Sequence, residues 1–203
     1  MTKSDERFTP NRPVGLASQA AYELRRINGF WEHFCAGPHI IDVGYRGGTN
    51  AQVICEGALG IERGTPGYDG LHIPVEDGWA DAVHCSHVLE HVLPPEIYLQ
   101  EWFRTLRLGG FLLLFLPHAF LYERRLTVPP SRFSPEHLRS YTPSTLLAEI
   151  EWALEPNTYR VRHLADMDYR YDYSLPLEVH PVGAFEIECV IQKVTPPAWK
   201  VDP

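Results

Sequence analysis

Three observations predict an α/β fold with a doubly wound, mostly parallel sheet and helices on both faces. Short apolar runs alternate with amphipathic stretches along the chain, the succession that parallel strands and crossover helices require. Glycines gather where the first apolar run ends, at Asp42-Val43-Gly44-Tyr45-Arg46-Gly47-Gly48. Glu62 closes the second run, at the spacing from Asp42 that a strand–helix–strand unit needs.

Each element follows in order. Residues 1–15, with Pro10 and Pro13, read as a loose lead-in, and 16–36 as an N-terminal helix. Within Leu16–Cys35, Ala20, Leu24, Ile27, Phe30, Trp31 and Phe34 recur at helical spacing, and Gly37-Pro38 stops the pattern. His39–Tyr45 is a buried-strand pattern, followed by a short helical piece at Thr49–Glu56 and a second strand at Ala58–Glu62. The turn-rich run 63–70 cannot hold a helix, and an extended piece fits Leu71–Ile73. Asp81–Ser86 is the next strand, and a helical stretch carries Val88, Leu89 and Val92. Pro94-Pro95 opens a helix reaching about Leu108, which Gly109-Gly110 ends before the apolar strand Phe111–Leu116. Beyond Pro117 the pattern loosens over 118–135, then predicts a helix at Pro143–Leu154 and strands at Tyr159–Leu164 and Ala184–Lys193. Pro196–Pro203 reads as a frayed tail. The 203 residues suit a single domain, 1–203, with 37–117 as one half and 118–195 as the other.

Composition narrows the function. The formal net charge of -8 repels phosphate backbones and anionic lipid, so neither nucleic acid nor membrane is an expected partner. The longest apolar run, Phe111–Pro117, is far too short to span a bilayer, and Met1–Arg12 has no apolar stretch of the secretory kind. Cys35, Cys55, Cys85 and Cys189 show no zinc or redox spacing and read as reduced core residues of a cytoplasmic protein.

The chemistry rests on four features in sequence. Glycines at 44, 47 and 48 let the backbone turn tightly and approach a ligand, although an ordinary glycine turn has the same composition. Glu62 can accept hydrogen bonds from both hydroxyls of a ribose, or stand as a solvated surface glutamate. The third is Gly67-Tyr68-Asp69-Gly70-Leu71-His72-Ile73-Pro74. The fourth is Ser86-His87-Val88-Leu89-Glu90-His91-Val92, followed by a helix and Leu108-Gly109-Gly110.

Together, His39–Pro117 resembles the cofactor half of the class I S-adenosylmethionine-dependent methyltransferases, in the branch carrying Ser-x-Val-Leu-Glu-His after the fourth strand. The resemblance implies a Rossmann-like fold and S-adenosylmethionine as cofactor. It places Asp42, Gly44, Tyr45 and Gly48 in the loop holding the methionine part, and Glu62 on the ribose. Asp69, with Gly70 beside it, takes the position that accepts from the adenine amino group, and Ser86 and His87 lie against the cofactor. It continues weakly through His137–Pro143. Two features depart from the family pattern. Arg46 replaces the usual middle glycine, and the stretch from Glu62 to Asp69 is too short for the usual helix and strand.

The implied reaction is methyl transfer to a small-molecule oxygen or nitrogen, with a sugar or small metabolite as acceptor. It is an in-line displacement in which the protein aligns the acceptor. Losing the acceptor proton calls for a base, for which His118 and His87 follow predicted strands, with His137 and His180 secondary. A homodimer is one assembly open to such a domain. The departures keep a second reading open, a catalytically inactive binding or regulatory protein of the same fold. His87-Val88-Leu89-Glu90-His91 also matches the inverted zinc-peptidase pattern, but no downstream acidic ligand accompanies it, so no metal is expected. The spacing Gly44-x-x-Gly47-Gly48 likewise departs from the nicotinamide-binding pattern.

Overall fold

The computed structural model describes residues 6–15, 17–46 and 50–199. Its strands are β1 (Ile40–Val43), β2 (Leu59–Ile61), β3 (Ala80–Ser86), β4 (Leu106–Pro117), β5 (Tyr159–Met167) and β6 (Glu186–Lys193). Its α-helices are α1 (Gln19–Ile27), α2 (Phe30–Phe34), α3 (Pro95–Thr105) and α4 (Pro143–Ala153). The strands form one sheet in the order β2-β1-β3-β4-β6-β5. The first four run parallel, and β6 runs antiparallel to both β4 and β5. The chain leaves β1 for β2 on one side and returns to β3 on the other. That reversal opens a crevice at the carboxyl ends of β1 and β3, where ligands of such sheets bind.

Strand β4 is apolar throughout its second half because both its faces are covered. Leu112 and Leu114 join Leu99, Trp102, Leu146 and Ile150 beneath α3 and α4. The alternate residues, Leu113 and Phe115, join Tyr22, Trp31 and Phe34 beneath α1 and α2. Helix α4 starts where Thr142 accepts from the Thr145 N–H at 3.3 Å and Thr145 returns the bond.

Several expected elements differ. The N-terminal helix is split at Gly29, whose φ of +74° ends one helical run before the next begins. Over the described part of the expected helix at Thr49–Glu56 there is no helix. There the Gln52 and Glu56 N–H groups go to the Pro13 and Arg7 carbonyls, and that of Ile54 goes to Asp42. The lead-in is accordingly ordered over 6–15, with Phe8 buried and stacked on Trp31. Leu71–Ile73 forms no strand, because side chains of Asp69 and Glu101 take its N–H groups. The stretch at 88–92 is only a 3-10 turn, Leu89–His91. Helix α3 stops at Thr105, and Gly109-Gly110 lies inside β4 rather than before it. A Cβ at Gly110 would stand 2.9 Å from the Asp81 carbonyl, so this irregular edge of the β3–β4 ladder requires glycine.

Candidate cofactor site

At the crevice the backbone turns at Gly44, with φ +69°. A Cβ there would lie 2.3 Å from Val88 Cγ2, so only glycine lets the loop pass beneath the turn after β3. Two lobes meet at this point and share Val43, Gly44, His87 and His91 as walls. The smaller, of about 210 Å³, is bounded by Ser18, Asp42, Tyr45, His84 and Ser86. The larger, of about 1040 Å³, is bounded by Arg46, Glu62, Tyr68, Asp69, Gly70 and Tyr98. The described sequence-predicted cofactor residues therefore converge on one cleft, and Gly48 lies outside the described residues.

Asp42 anchors the floor. Its carboxylate is buried, accepting from His84 Nδ1 at 2.6 Å and from the Ile54 N–H at 2.6 Å. This ties β1 to β3 and to the loop that replaces the expected helix. The other imidazole nitrogen, His84 Nε2, is buried and has no hydrogen-bond partner among the described residues, in a side chain that lines the smaller lobe. Tyr45 lies over Gly60, where a Cβ would stand 2.6 Å from its ring. Arg46 folds onto that tyrosine, donating from Nε to the hydroxyl at 3.0 Å.

Glu62 faces the larger lobe. Its oxygens accept from the Arg63 N–H at 2.9 Å and the Arg46 N–H at 3.4 Å, which leaves lone pairs for a ligand. Asp69 is exposed and turned toward its own loop. It accepts from the Leu71 and His72 N–H groups at 2.9 and 2.7 Å and pairs with His72 Nδ1 at 2.8 Å. The His72 ring and these N–H groups hold its carboxyl well below the usual carboxylate range. Gly70, at φ +102°, opens onto free space.

Ser86 exchanges a hydrogen bond with Ser18, closing the N-terminal segment over the smaller lobe. His87 sits at φ +55°, a costly conformation for a non-glycine residue. Its Nε2 pairs with Glu186 at 2.9 Å, and its Nδ1 lies 3.5 Å from Glu90. Burial pushes its pKa down, but Glu186 and Glu90 outweigh that and leave it raised. His118 is placed differently and lines neither lobe. Its Nδ1 accepts the Phe120 N–H at 3.0 Å, capping a π-helical turn at Ala119–Glu123, and its Nε2 meets Asp166 at 3.2 Å. Burial lowers its pKa, against the pull of Asp166.

The methyltransferase domain family matches residues 16–156, more than half of the chain. The chain belongs to the class I S-adenosylmethionine-dependent methyltransferase family. A probable S-adenosylmethionine-dependent methyltransferase of Mycolicibacterium smegmatis is 27% identical over 192 residues, covering 83% of this chain and 74% of that protein. Among solved structures, an S-adenosylmethionine-dependent methyltransferase from Aquifex aeolicus superposes with a TM-score of 0.56. It is 14% identical, with 88% of this chain and 94% of that one covered. The [4+2]-cyclase SpnF superposes equally well at 0.56, 15% identical over 93% of this chain and 89% of that one. These two structures share the fold.

The cleft suits the family's cofactor, S-adenosylmethionine. Glycine stands where the backbone comes closest, an acceptor carboxylate faces the larger lobe, and an imidazole nitrogen with no partner among the described residues belongs to the smaller one. After β1 the chain lacks the helix N-terminus that commonly faces a ligand in such sheets, since no helix lies over 50–56.

Sequence reasoning missed His84 and the buried network behind the cleft. Arg25 of α1 donates to Glu188 at 2.6 Å and to Glu186, and lies 3.8 Å over the Phe115 ring. A signal was present in Glu186-Ile187-Glu188, where two acids in an apolar strand share one face and need a cation.

Proposed function

We propose that the protein binds S-adenosylmethionine across the two lobes and transfers its methyl group to a small-molecule oxygen or nitrogen. The observation that carries this reading is the convergence of Gly44, Glu62, Asp69, Ser86 and His87 on one cleft at the strand-order reversal. The smaller lobe takes the methionine end, under Ser18 and beside Asp42 and Tyr45. The larger takes the adenosine, with Glu62 on the ribose hydroxyls and Asp69-Gly70 at the base.

Methyl transfer needs the acceptor held in line with the sulfonium, and the cofactor itself supplies the reactive group. Between the two candidate bases, His87 stands where the lobes join. His118 has its Nδ1 lone pair committed to Phe120 and positions the chain after β4. A third pocket, of about 410 Å³, lies beyond His118 and is lined by Phe120, Arg124, Arg125, Tyr171 and Tyr173. Aromatic faces beside guanidinium groups suit a sugar or an anionic aromatic acceptor. All four cysteines are buried, as reduced core residues of a cytoplasmic protein would be, and no helix among the described residues is long and apolar enough to cross a membrane.

The test is incubation with methyl-labelled cofactor and a panel of hydroxylated and aminated small molecules, read by mass spectrometry. The expected product is one methyl group heavier, is lost in Glu62→Ala, and is reduced more by His87→Ala than by His118→Ala. Cofactor binding without transfer to any acceptor would favour the second reading, a binding protein on this fold.

A further inference from the structure

Behind the cleft, a buried carboxylate faces two imidazoles with no donor among them. Glu90, in the 3-10 turn after β3, is 1% exposed, and neither of its oxygens receives a hydrogen bond among the described residues. Its Oε1 lies 3.7 Å from His91 Nε2 and 3.9 Å from His137 Nε2. Both rings are oriented from their far side. His91 Nδ1 lies 3.1 Å from the Glu136 carbonyl, and His137 Nδ1 lies 3.0 Å from the buried Glu123 carboxylate. A carbonyl only accepts, so the His91 proton sits on Nδ1 in the neutral ring. Glu123 also accepts from the Ser131 hydroxyl and the Arg132 N–H, which makes it an acceptor toward His137 as well. Both Nε2 atoms thus present lone pairs toward a carboxylate that also presents lone pairs. Left to itself, that arrangement is costly in a buried site.

We propose that Glu90, His91 and His137 form a binding site for a first-row divalent transition cation of the zinc class. The three donor atoms lie within 4.8 Å of one another. Bonds of about 2.1 Å at tetrahedral angles put ligand atoms about 3.4 Å apart, so closure needs movements of about 1 Å or less. Two imidazoles and one carboxylate suit zinc, cobalt or iron(II) better than magnesium. The Glu123 and Glu136 acceptors supply the outer-shell bonds that histidine ligands use to fix their tautomer. His91 is 30% exposed and lines the cleft, which gives the ion a way in. This donor set differs from the inverted zinc-peptidase pattern. His91 ends a 3-10 turn that begins two residues after His87, so the two do not share a helix face, and the second imidazole comes from a loop far along the chain. The rival partner for Glu90 is His87, whose Nδ1 lies 3.5 Å from the same oxygen.

The test uses the chelator-treated full chain, titrated with Zn²⁺ and with Co²⁺, with Mg²⁺ as control, and read by calorimetry and visible absorption without any methyl transfer. The expected result is one equivalent of Zn²⁺ and a Co²⁺ ligand-field band. His137→Ala and Glu90→Gln each weaken binding by at least about 100-fold, at or beyond the loss that outer-shell changes cause, while His87→Ala retains it. Zn²⁺ should also raise Tm in the wild type and not in Glu90→Gln, a shape-conserving change that carries the test if His137→Ala fails to fold. Absence of stoichiometric binding, binding unchanged in both variants, or loss only in His87→Ala would overturn the assignment.

Discussion

Arg25→Met removes the guanidinium that neutralises Glu186 and Glu188 between α1 and β6. Arg25 is 2% exposed and both acids are buried, so the change leaves the two carboxylates in the core with only the His87 and His163 imidazoles to balance them. Breaking a buried pair by removing one partner costs about 3–5 kcal/mol. The acid side gives a comparable figure. Burial pushes the Glu186 carboxyl up, but Arg25 with His87 beside it outweighs burial and holds it at about 2, down from an ordinary 4.5. That drop corresponds to about 3 kcal/mol. The pKa is depressed in the folded state, so this stabilisation is complete above about pH 4.5 and is lost as pH falls toward 2. Urea denaturation of wild type and Arg25→Met at neutral and acid pH measures both. The expected loss is about 3–5 kcal/mol at neutral pH, with a smaller gap in acid and partial recovery when Glu186→Gln and Glu188→Gln are added. A loss below about 1 kcal/mol at neutral pH, or the same gap in acid, would refute the reasoning.

Gly44→Ala adds a strained φ and a contact with Val88, costing about 2–5 kcal/mol together, and Val88→Ala on top should return part of it in thermal denaturation. His118→Asn should keep the bond to the Phe120 N–H and hence the stability, whereas His118→Ala should lose about 1 kcal/mol by chemical denaturation. Asp69→Asn keeps an acceptor for the loop N–H groups but removes the charge facing His72. The His72 pKa, raised by its bond to Asp69, should therefore fall in an NMR titration.

The sheet was legible because its strands announce themselves locally: Ile40–Val43, Ala80–Ser86 and the apolar half of β4 are buried almost throughout and read as short, mainly apolar runs. Helix α4 was legible from Thr142-Pro143. The loop at 50–56 was not, because its N–H groups are bound by Pro13, Arg7 and Asp42, contacts that local periodicity cannot carry. The position of Glu62 followed from its place at the end of the second apolar run, twenty residues after Asp42. The inward turn of Arg25 did not, since in Leu24-Arg25-Arg26 it resembles a solvated helix arginine until β6 supplies its partners. The meeting of His137 with Glu90 and Glu123 likewise joins segments that only the fold brings together.

The most direct test of a cofactor cleft is a calorimetric titration of the folded protein with S-adenosylhomocysteine, repeated on Glu62→Ala. The account predicts micromolar binding, about -8 kcal/mol, that weakens at least about 10-fold when the ribose acceptor is removed. Absence of binding by well-folded wild-type protein, or binding that Glu62→Ala leaves unchanged, would contradict it.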